Sequence, residues 1–377
     1  MAAIGAFTQN IRSGFANGAG IISKDADIEV CMKPIRRAVD NGYNYHKVAW
    51  VEKGEIRTLK YPAILGSSSE AITDMQGGYA NMYETNGERF VVDEHVSQPI
   101  PLRTGDYGLT DANRVLVNHG LRESGVTPDQ QVILVTSLPV RDFFNTDGSK
   151  NEDLILGQKE SMLKPVKMVV NNRDEPQQVA NVIRSDVISE AVAAAFDFLV
   201  PNVGEGLSDV FAPIGVLDFG GSTFDVVTLT KDMRIRQASS GTLKRGTMDI
   251  VEPLKRKLAA YLESKGIPVG GIPEWKINQV MASGTYPHYD KDDQGRSFQR
   301  QIPVQHIIDE AASETVSEIK AFVKQRIPNF SEYQAILLVG GGSLLCRNLF
   351  KDWEQLPNFI VMDEFANARG MLKLSAL

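Results

Sequence analysis

The sequence carries only two cysteines, Cys31 and Cys346, far apart in the chain. They can build neither a disulfide framework nor a cysteine-based metal cluster, and they sit comfortably with a reducing cytoplasm. Long hydrophobic runs are missing as well. The most apolar helical segment, residues 191–200, is broken by Asp197, and nothing approaches the roughly 18 apolar residues of a membrane span. The opening MAAIGAFTQNIRSG lacks a charged start followed by a long apolar core, so it makes a poor signal peptide. Positive charge is not in surplus: 40 Lys and Arg face 47 Asp and Glu, a net charge of −7. That balance argues against coating DNA along a basic surface, and leaves room for a local patch or a DNA-holding adaptor. The five histidines, His46, His95, His119, His288 and His306, include no pair at metal-ligand spacing. No GxxxxGK[ST] loop occurs, which disfavours a Walker-type ATPase.

What is present is a soluble globular composition, 42% hydrophobic and 23% charged over 377 residues. That length suits one large domain or a few small ones. Residues 1–33 read as an extension, either a partly ordered tail or a segment that contacts a neighbouring subunit. Strand signals follow at Arg37 to Asp40, Tyr45–Glu52 and Ile56–Leu59, joined by turns into a meander. A further short strand is expected within 88–96. Residues 111–125 show helical spacing, with Asp111 as a plausible N-cap and Gly125 as a stop. Gln131 to Val135 is a continuous apolar run, as expected of a strand buried on both faces. Residues 186–200 read as the start of a long helix, and 201–213 as a connector. The pattern then restarts: residues 214–239 read again as strand, glycine turn, strand, turn, strand. In both places a strand ends in Asp before a glycine turn, Asp40 in the first and Asp218 in the second, which suggests internal duplication. Downstream, a helix is expected over 250–265, a variable subdomain over 267–300, and a long helix over 304–327. A buried strand running into a glycine turn spans 335–345, a short strand 357–361, and a terminal helix 365–374. Trp50 reads as core. Alternation turns His46 away from Lys47, making it a packing or surface residue.

Three glycine turns carry the chemistry: the first runs from Asp40 through Gly42 and Asn44 to Lys47, the second from Asp218 through Gly220, Gly221, Ser222 and Thr223 to Asp225, and the third is Gly340, Gly341, Gly342 and Ser343. Glycine lets the backbone approach a ligand closely, and successive N–H groups in such turns bind anionic oxygens. Two facing hairpins can grip a phosphate chain. Asp40 and Asp218 would be repelled by phosphate itself but can hold water on a bridging magnesium ion. Ser222 and Thr223 offer hydroxyls, and Lys47 offers a neutralising charge. Lys244 and Arg245, just beyond the second hairpin, suit either ribose or base contact or plain solvent exposure.

This arrangement resembles the actin-like ATPase superfamily, and within it the ParM/StbA group of bacterial plasmid-segregation proteins, over residues 36 to 374. The first phosphate motif of that family matches Asp40, Gly42, Asn44 and Lys47; the second matches Asp218, Gly220, Gly221, Ser222, Thr223 and Asp225; the adenosine motif matches Gly340, Gly341 and Gly342. Tyr61-Pro62, Ser137-Leu138-Pro139, Gly241 and Gly246 fit the same pattern, and FANARGM at 365–371 looks like the plasmid group. The resemblance points to Glu190 as the residue that positions the attacking water, although the Pro that precedes it in ParM is Ser189 here. Glu175 and Glu205 lie nearby in sequence, and Glu190 also reads simply as a helix N-terminal acid.

The resemblance implies an α/β fold of actin-like, duplicated ribonuclease H-like type, with a nucleotide cleft between the halves. Its parts would be the extension 1–33, domain I over 34–189, domain II over 190–360 with a variable subdomain near 250–310, and a segment 361–377 returning to domain I. It implies a magnesium-dependent ATP (or GTP) hydrolase with Glu190, Asp218 and Asp40 catalytic, and with Asp40 and Asp218 holding the metal through water. Gly42, Asn44, Lys47, Gly220, Gly221, Ser222, Thr223, Gly246, Gly340, Gly341 and Gly342 would bind nucleotide. It further implies a cytoplasmic protein that self-associates into polar filaments and moves plasmid DNA through a DNA-binding adaptor at a centromere-like site. Direct DNA or membrane contact is not expected. A nonpolymerising superfamily ATPase, or an interaction protein with a degenerate nucleotide site, is the alternative.

Overall fold

The computed structural model describes residues 33–145 and 147–377; the expected extension, with Cys31, lies outside them apart from Lys33. Two five-stranded sheets dominate. The first contains β1 (Ile35–Asn41), β2 (Tyr45–Glu52), β3 (Glu55–Pro62), β4 (Gln131–Leu138) and β5 (Asn181–Ser189), in the order β5-β4-β1-β2-β3. β1, β2 and β3 form an antiparallel meander, while β4 and β5 join β1 in parallel. The second contains β6 (Ile214–Phe219), β7 (Phe224–Leu229), β8 (Gly241–Leu243), β9 (Ala335–Val339) and β10 (Phe359–Val361), in the order β8-β7-β6-β9-β10. Its pairing repeats that of the first, antiparallel through β6, β7 and β8 and parallel from β6 to β9 to β10. The expected duplication is therefore a duplication of topology. The fold is two sheet-centred halves with a cleft between them.

The register explains how both acidic residues reach one space. Asp40 pairs with Lys47 in the first hairpin, and Asp218 with Asp225 in the second. Side chains alternate along a strand. Ala38 and Val216, two residues before each Asp, both belong to the core between the sheets. Asp40 and Asp218 must then face that same interior. Val39 and Leu217 point the other way, into the outer cores.

Two helices fill the space between the sheets. One is α3 (Glu190–Leu199), leading directly from β5; the other is α8 (Ala366–Leu374), near the end of the described chain. On the outer face of the first sheet lie α1 (Asp111–Glu123) and α2 (Glu152–Leu163). The outer face of the second carries α4 (Val251–Ser264) and α6 (Gln305–Arg326). Between those two, α5 (Glu274–Ser283) and a hairpin over Thr285–Lys291 and Ser297–Pro303 form the small expected subdomain. α7 (Gly341–Leu345) starts directly after β9. A third five-stranded sheet, of shorter strands within 65–92 and 167–178, extends the first half.

Several local expectations need correction. Residues 186–189 end β5, and the helix begins only at Glu190; the polar Ser189-Glu190 pair at the junction also fits helical spacing, so periodicity alone could not divide the segment. The N-cap of α1 is Thr110, whose hydroxyl accepts from the Asn113 amide at 3.1 Å, while Asp111 accepts from Asn86 and pairs with Arg114. The third strand of the second meander lies beyond the expected 214–239, at Gly241–Leu243. There the chain turns at Met233, with φ +58°, and Ser239 and Ser240 bond Thr228 in place of a regular ladder. Trp50 is half-buried, under the Arg37 guanidinium. His46 is fully buried in the first outer core and is the packing residue of the two readings.

α3 and α8 meet at backbone distance. A Cβ placed on Gly370 would lie 1.7 Å from the Ala193 carbonyl oxygen, so only glycine fits. The alanines 191, 193, 194 and 195 on the facing helix are all buried. Asp197 of α3 ties the pair together through Arg369 at 2.6 Å and Lys373 at 2.8 Å. Replacing Gly370 by Ala forces the helices apart. The expected cost is at least about 2 kcal/mol, at the upper end of overpacking penalties, and chemical denaturation of Gly370→Ala against wild type measures it.

Candidate active site

A cavity of about 320 Å³ opens between the two halves. Its lining is contributed by both hairpins, by the turn after β9, by the first turns of α3 and α8, and by α5. The second hairpin shows how such a wall becomes anion-binding. The carbonyls of Gly220 and Gly221 accept from the amides of Thr247 and Met248, at 3.1 and 3.0 Å. A trans peptide sets its N–H opposite its C=O. The N–H groups of Gly221 and Ser222 are therefore turned away from Thr247 and Met248, at residues that line the cavity. Two successive amides so presented form a site for anionic oxygen.

The glycines divide into two kinds. Gly42, Gly220, Gly221, Gly340 and Gly341 line the cavity. Gly340 has φ +86°, and a Cβ there would sit 2.5 Å from Asp218 Oδ1, so the third turn can lie against the second hairpin only without a side chain. Gly246 and Gly342 do not line the cavity. A Cβ on Gly246 would meet the Gly221 oxygen at 2.2 Å, and one on Gly342 the Phe219 ring at 2.3 Å. Their place is behind the wall, as close-packing positions.

The charged residues expected from sequence come together here. Asp40, Lys47, Glu190 and Asp218 all line the cavity and are buried or half-buried. Lys47 Nζ bonds Asp40 Oδ2 at 2.9 Å. Burial works against the Lys47 ammonium, but the charge and hydrogen bond of Asp40 outweigh it and raise the pKa. Asp218 is pushed up to about 7, first by burial and then by Asp225 and Asp40, against the hydrogen bond it accepts from Asn367. Burial also raises Asp225, partly offset by bonds from Thr242 and Thr223. Glu190 is driven well above the carboxylate range by burial and by Asp40, Asp218 and Asp225. One ammonium among four carboxylates leaves a negative excess, which protonation relieves in part and a bound cation would relieve further. Hard oxygen donors of this kind suit magnesium. Among the described residues no three acidic, cysteine or histidine side chains converge closely enough to chelate a metal directly, so the donor set fits a cation that keeps its water.

The remaining expected residues are placed as follows. Asn44 lines the cavity and reaches across to the other half, donating to Thr247 Oγ1 at 3.4 Å. Ser222 lines it, and the Thr223 hydroxyl donates to Asp225 at 3.1 Å. Lys244 is exposed and Arg245 pairs with Glu318 at 2.6 Å; neither lines the cavity. Glu175 and Glu205 do not line it either. Glu190 accepts from Ser137 Oγ at 3.4 Å, and Ser137 also meets Asn41 Oδ1 through its amide, at 2.9 Å. His46 bonds Tyr107 at 2.8 Å behind the first hairpin, and burial with Lys47 nearby depresses it to about 3, so it stays neutral.

Sequence reasoning missed two contributions. The first is the wall away from the acids, made by Asn278, Met281, Ser283, Gln305, Leu344 and Leu345. Its polar and apolar mixture suits a ring system, but these positions have no motif. The second is Asn367, which donates to Asp218 Oδ2 at 3.0 Å; it sits inside FANARGM, where only the family likeness had been read.

Residues 35–200 match the family described as plasmid segregation protein ParM, N-terminal, and residues 216–352 the family described as archaeal actin homologue MreB-like, C-terminal. These two matches fall on the two topological halves in the order that the fold requires. The chain has the actin-like two-domain fold. No curated protein sequence matches it significantly. Among solved structures, the archaeal actin homologue Ta0583 in complex with ADP is similar at 20% identity and TM-score 0.61, over 91% of this chain and 98% of that one. The actin-like protein Alp7A is 15% identical with a TM-score of 0.64, over 90% and 95%. A subunit of a 15-stranded ParM filament from Clostridium botulinum is 17% identical with a TM-score of 0.59, over 91% and 99%. At these identities the likeness to this actin-like chain is one of fold. No helix among the described residues is long and apolar enough to cross a membrane.

A carboxyl whose pKa is raised in the folded state binds its proton more tightly there than when unfolded. For Asp218, raised to about 7, stability is highest below the unfolded value and falls as pH rises toward 7. Removing the charge should reverse that loss. Asp218→Asn is expected to raise the ligand-free melting stability at pH 8 by about 1–4 kcal/mol and to abolish any magnesium effect on ligand binding. Thermal melts at pH 5 and pH 8, with and without magnesium, test both parts; the stabilisation should fall to roughly a third at pH 5, because it vanishes only below the unfolded value of about 3.9.

Proposed function

We propose that this chain is a magnesium-dependent ATP hydrolase, with GTP as an alternative substrate, whose nucleotide state gates its assembly into polar filaments. The observation that carries the reading is the convergence of two duplicated hairpins, each delivering an acid from the same register position, into one cavity backed by Gly340. The phosphate chain lies between the hairpins, held by the Gly221 and Ser222 amides and by Lys47, with Gly42, Asn44 and Thr223 completing the grip. Asp40 and Asp218 hold the water shell of a magnesium ion; when bound, that ion draws charge from the phosphate oxygens. The adenosine end rests on Gly340, Gly341 and the wall of Met281, Gln305 and Leu344. For Gly246 and Gly342 the role is support of those turns.

Glu190 orients a water in line with the γ-phosphate. The water oxygen forms the new bond to phosphorus as the bond to the bridging oxygen of the leaving diphosphate breaks. The water's proton passes to the Glu190 carboxylate. Burial beside three other acids raises its affinity for that proton, and the charge of a bound cation would keep it ionised beforehand. Ser137 holds its orientation.

Because the cavity is walled by both halves, the phosphate state biases their closure. The domain division that follows is domain I over 34–189, domain II over 190–360 and a returning segment 361–377, of which α8 packs on β1, β2 and α3. Closure alters a head-to-tail subunit contact, which need not close on itself. The matches to the ParM N-terminal family and to a ParM filament favour a cytoplasmic role in plasmid segregation, with a DNA-binding adaptor at a centromere-like site capturing the filament end. The net charge of −7 favours such indirect DNA contact.

Sedimentation with magnesium and ATP, a slowly hydrolysed analogue, ADP or no nucleotide, with electron microscopy of each pellet, tests the gating. Filaments are expected with ATP and the analogue and few with ADP; tight nucleotide binding without filaments at any concentration or salt would sink the assembly reading and leave the hydrolase. Glu190→Gln should lower turnover by about 10²-fold or more while magnesium–ATP affinity stays within a few-fold. Equal losses in both would remove Glu190 from the water-orienting role.

A further inference from the structure

α8 packs against the first sheet and α3, yet its first turn serves the second sheet. Asn367 is 5% exposed and lines the cavity. Its Nδ2 donates to Asp218 Oδ2 at 3.0 Å. That bond fixes the amide's orientation, since the reverse would set oxygen against carboxylate oxygen. The other end, Oδ1, is buried and has no hydrogen-bond partner. An orphaned amide oxygen is costly in a buried wall, and helix mobility cannot relieve it easily. Three residues on, Gly370 is locked on Ala193, and Arg369 and Lys373 hold Asp197. Asn367 is thus presented at a fixed depth with an acceptor to spare, in a cavity whose charged lining is chiefly acidic.

We propose that Asn367 is a positioning residue for the divalent cation: it holds Asp218 through Nδ2 and takes, at Oδ1, a hydrogen bond from a water that the cation carries. This rests on the magnesium–nucleotide reading above. An acceptor-only oxygen beside an acceptor-only carboxylate selects a donor, and the water on a hard cation is a strong one. The role also links the α3–α8 contact between the sheets to the metal shell, because any movement of α8 moves the acceptor.

The test is the magnesium concentration that half-saturates binding of a fluorescent ADP analogue at pH 8, measured for the full chain and for Asn367→Ala and Asn367→Asp. Asn367→Ala should raise it about tenfold and leave binding in EDTA within about twofold. Asn367→Asp keeps an acceptor and adds a negative charge, so it should lower the half-saturating magnesium about threefold. A purely structural role would shift both variants the same way. Shifts in one direction, or none in either, overturn the proposal. If Asn367→Ala melts below the assay temperature, Asn367→Ser takes its place with the same expected rise. A wild-type curve that does not respond to magnesium would overturn the nucleotide reading itself, and this inference with it; a responsive wild type with unresponsive variants overturns this inference alone.

Discussion

Charge of one sign is crowded where the protein can least solvate it, and much of the architecture follows from that. Asp40, Asp218, Asp225 and Glu190 share the interior between two sheets with Lys47. Such a cluster survives folding because protonation, hydrogen bonds from Thr223, Thr242 and Asn367, and the Asp40–Lys47 pair each relieve part of it. The ligand-free protein is therefore held in a state that a divalent cation and a polyanion together would relax. Binding and stability are coupled through the same four carboxylates.

The sheets can host this cluster because of what separates them. A pair of helices in backbone contact, with Gly370 seated on Ala193 and Asp197 gripping two cations, sets the spacing near one end. The hairpin turns meet near the other: the Cβ position of Gly221 lies 3.4 Å from Asn44, and Arg103 bonds the Gly221 oxygen at 3.3 Å. Apolar packing fixes one end of the inter-sheet space, and polar contacts that a ligand can exchange hold the other. That contrast gives a hinge its physical basis.

Much of this was legible in the sequence, for specific reasons. Strands bounded by Asp and a glycine turn announce themselves twice, and alternation alone placed His46 opposite Lys47. Segments where strand passes directly into helix are less readable. The stretch 181–199 is strand and then helix, and the polar Ser189-Glu190 pair at the junction suits either element. Capping was misassigned to Asp111 because Thr110 has an equal claim on sequence alone. Glycine was read too uniformly: Gly246 and Gly342 look like Gly221 and Gly341, yet only the fold shows which face of each meets a ligand space and which meets Phe219 or the Gly221 oxygen. Asn367 and the wall of Met281 and Gln305 arise from tertiary placement, and no local pattern encodes that.

The duplication is incomplete at one telling position. Where the first hairpin sets Lys47 opposite Asp40, the second sets Asp225 opposite Asp218. The halves are related in topology but opposite in sign at the matching site. A pseudo-symmetric cleft would accept its ligand in either of two orientations; this one cannot. Lys47 marks the first hairpin and the paired acids the second, so the cleft has a built-in direction, and any subunit contact that reads the state of the cleft inherits it.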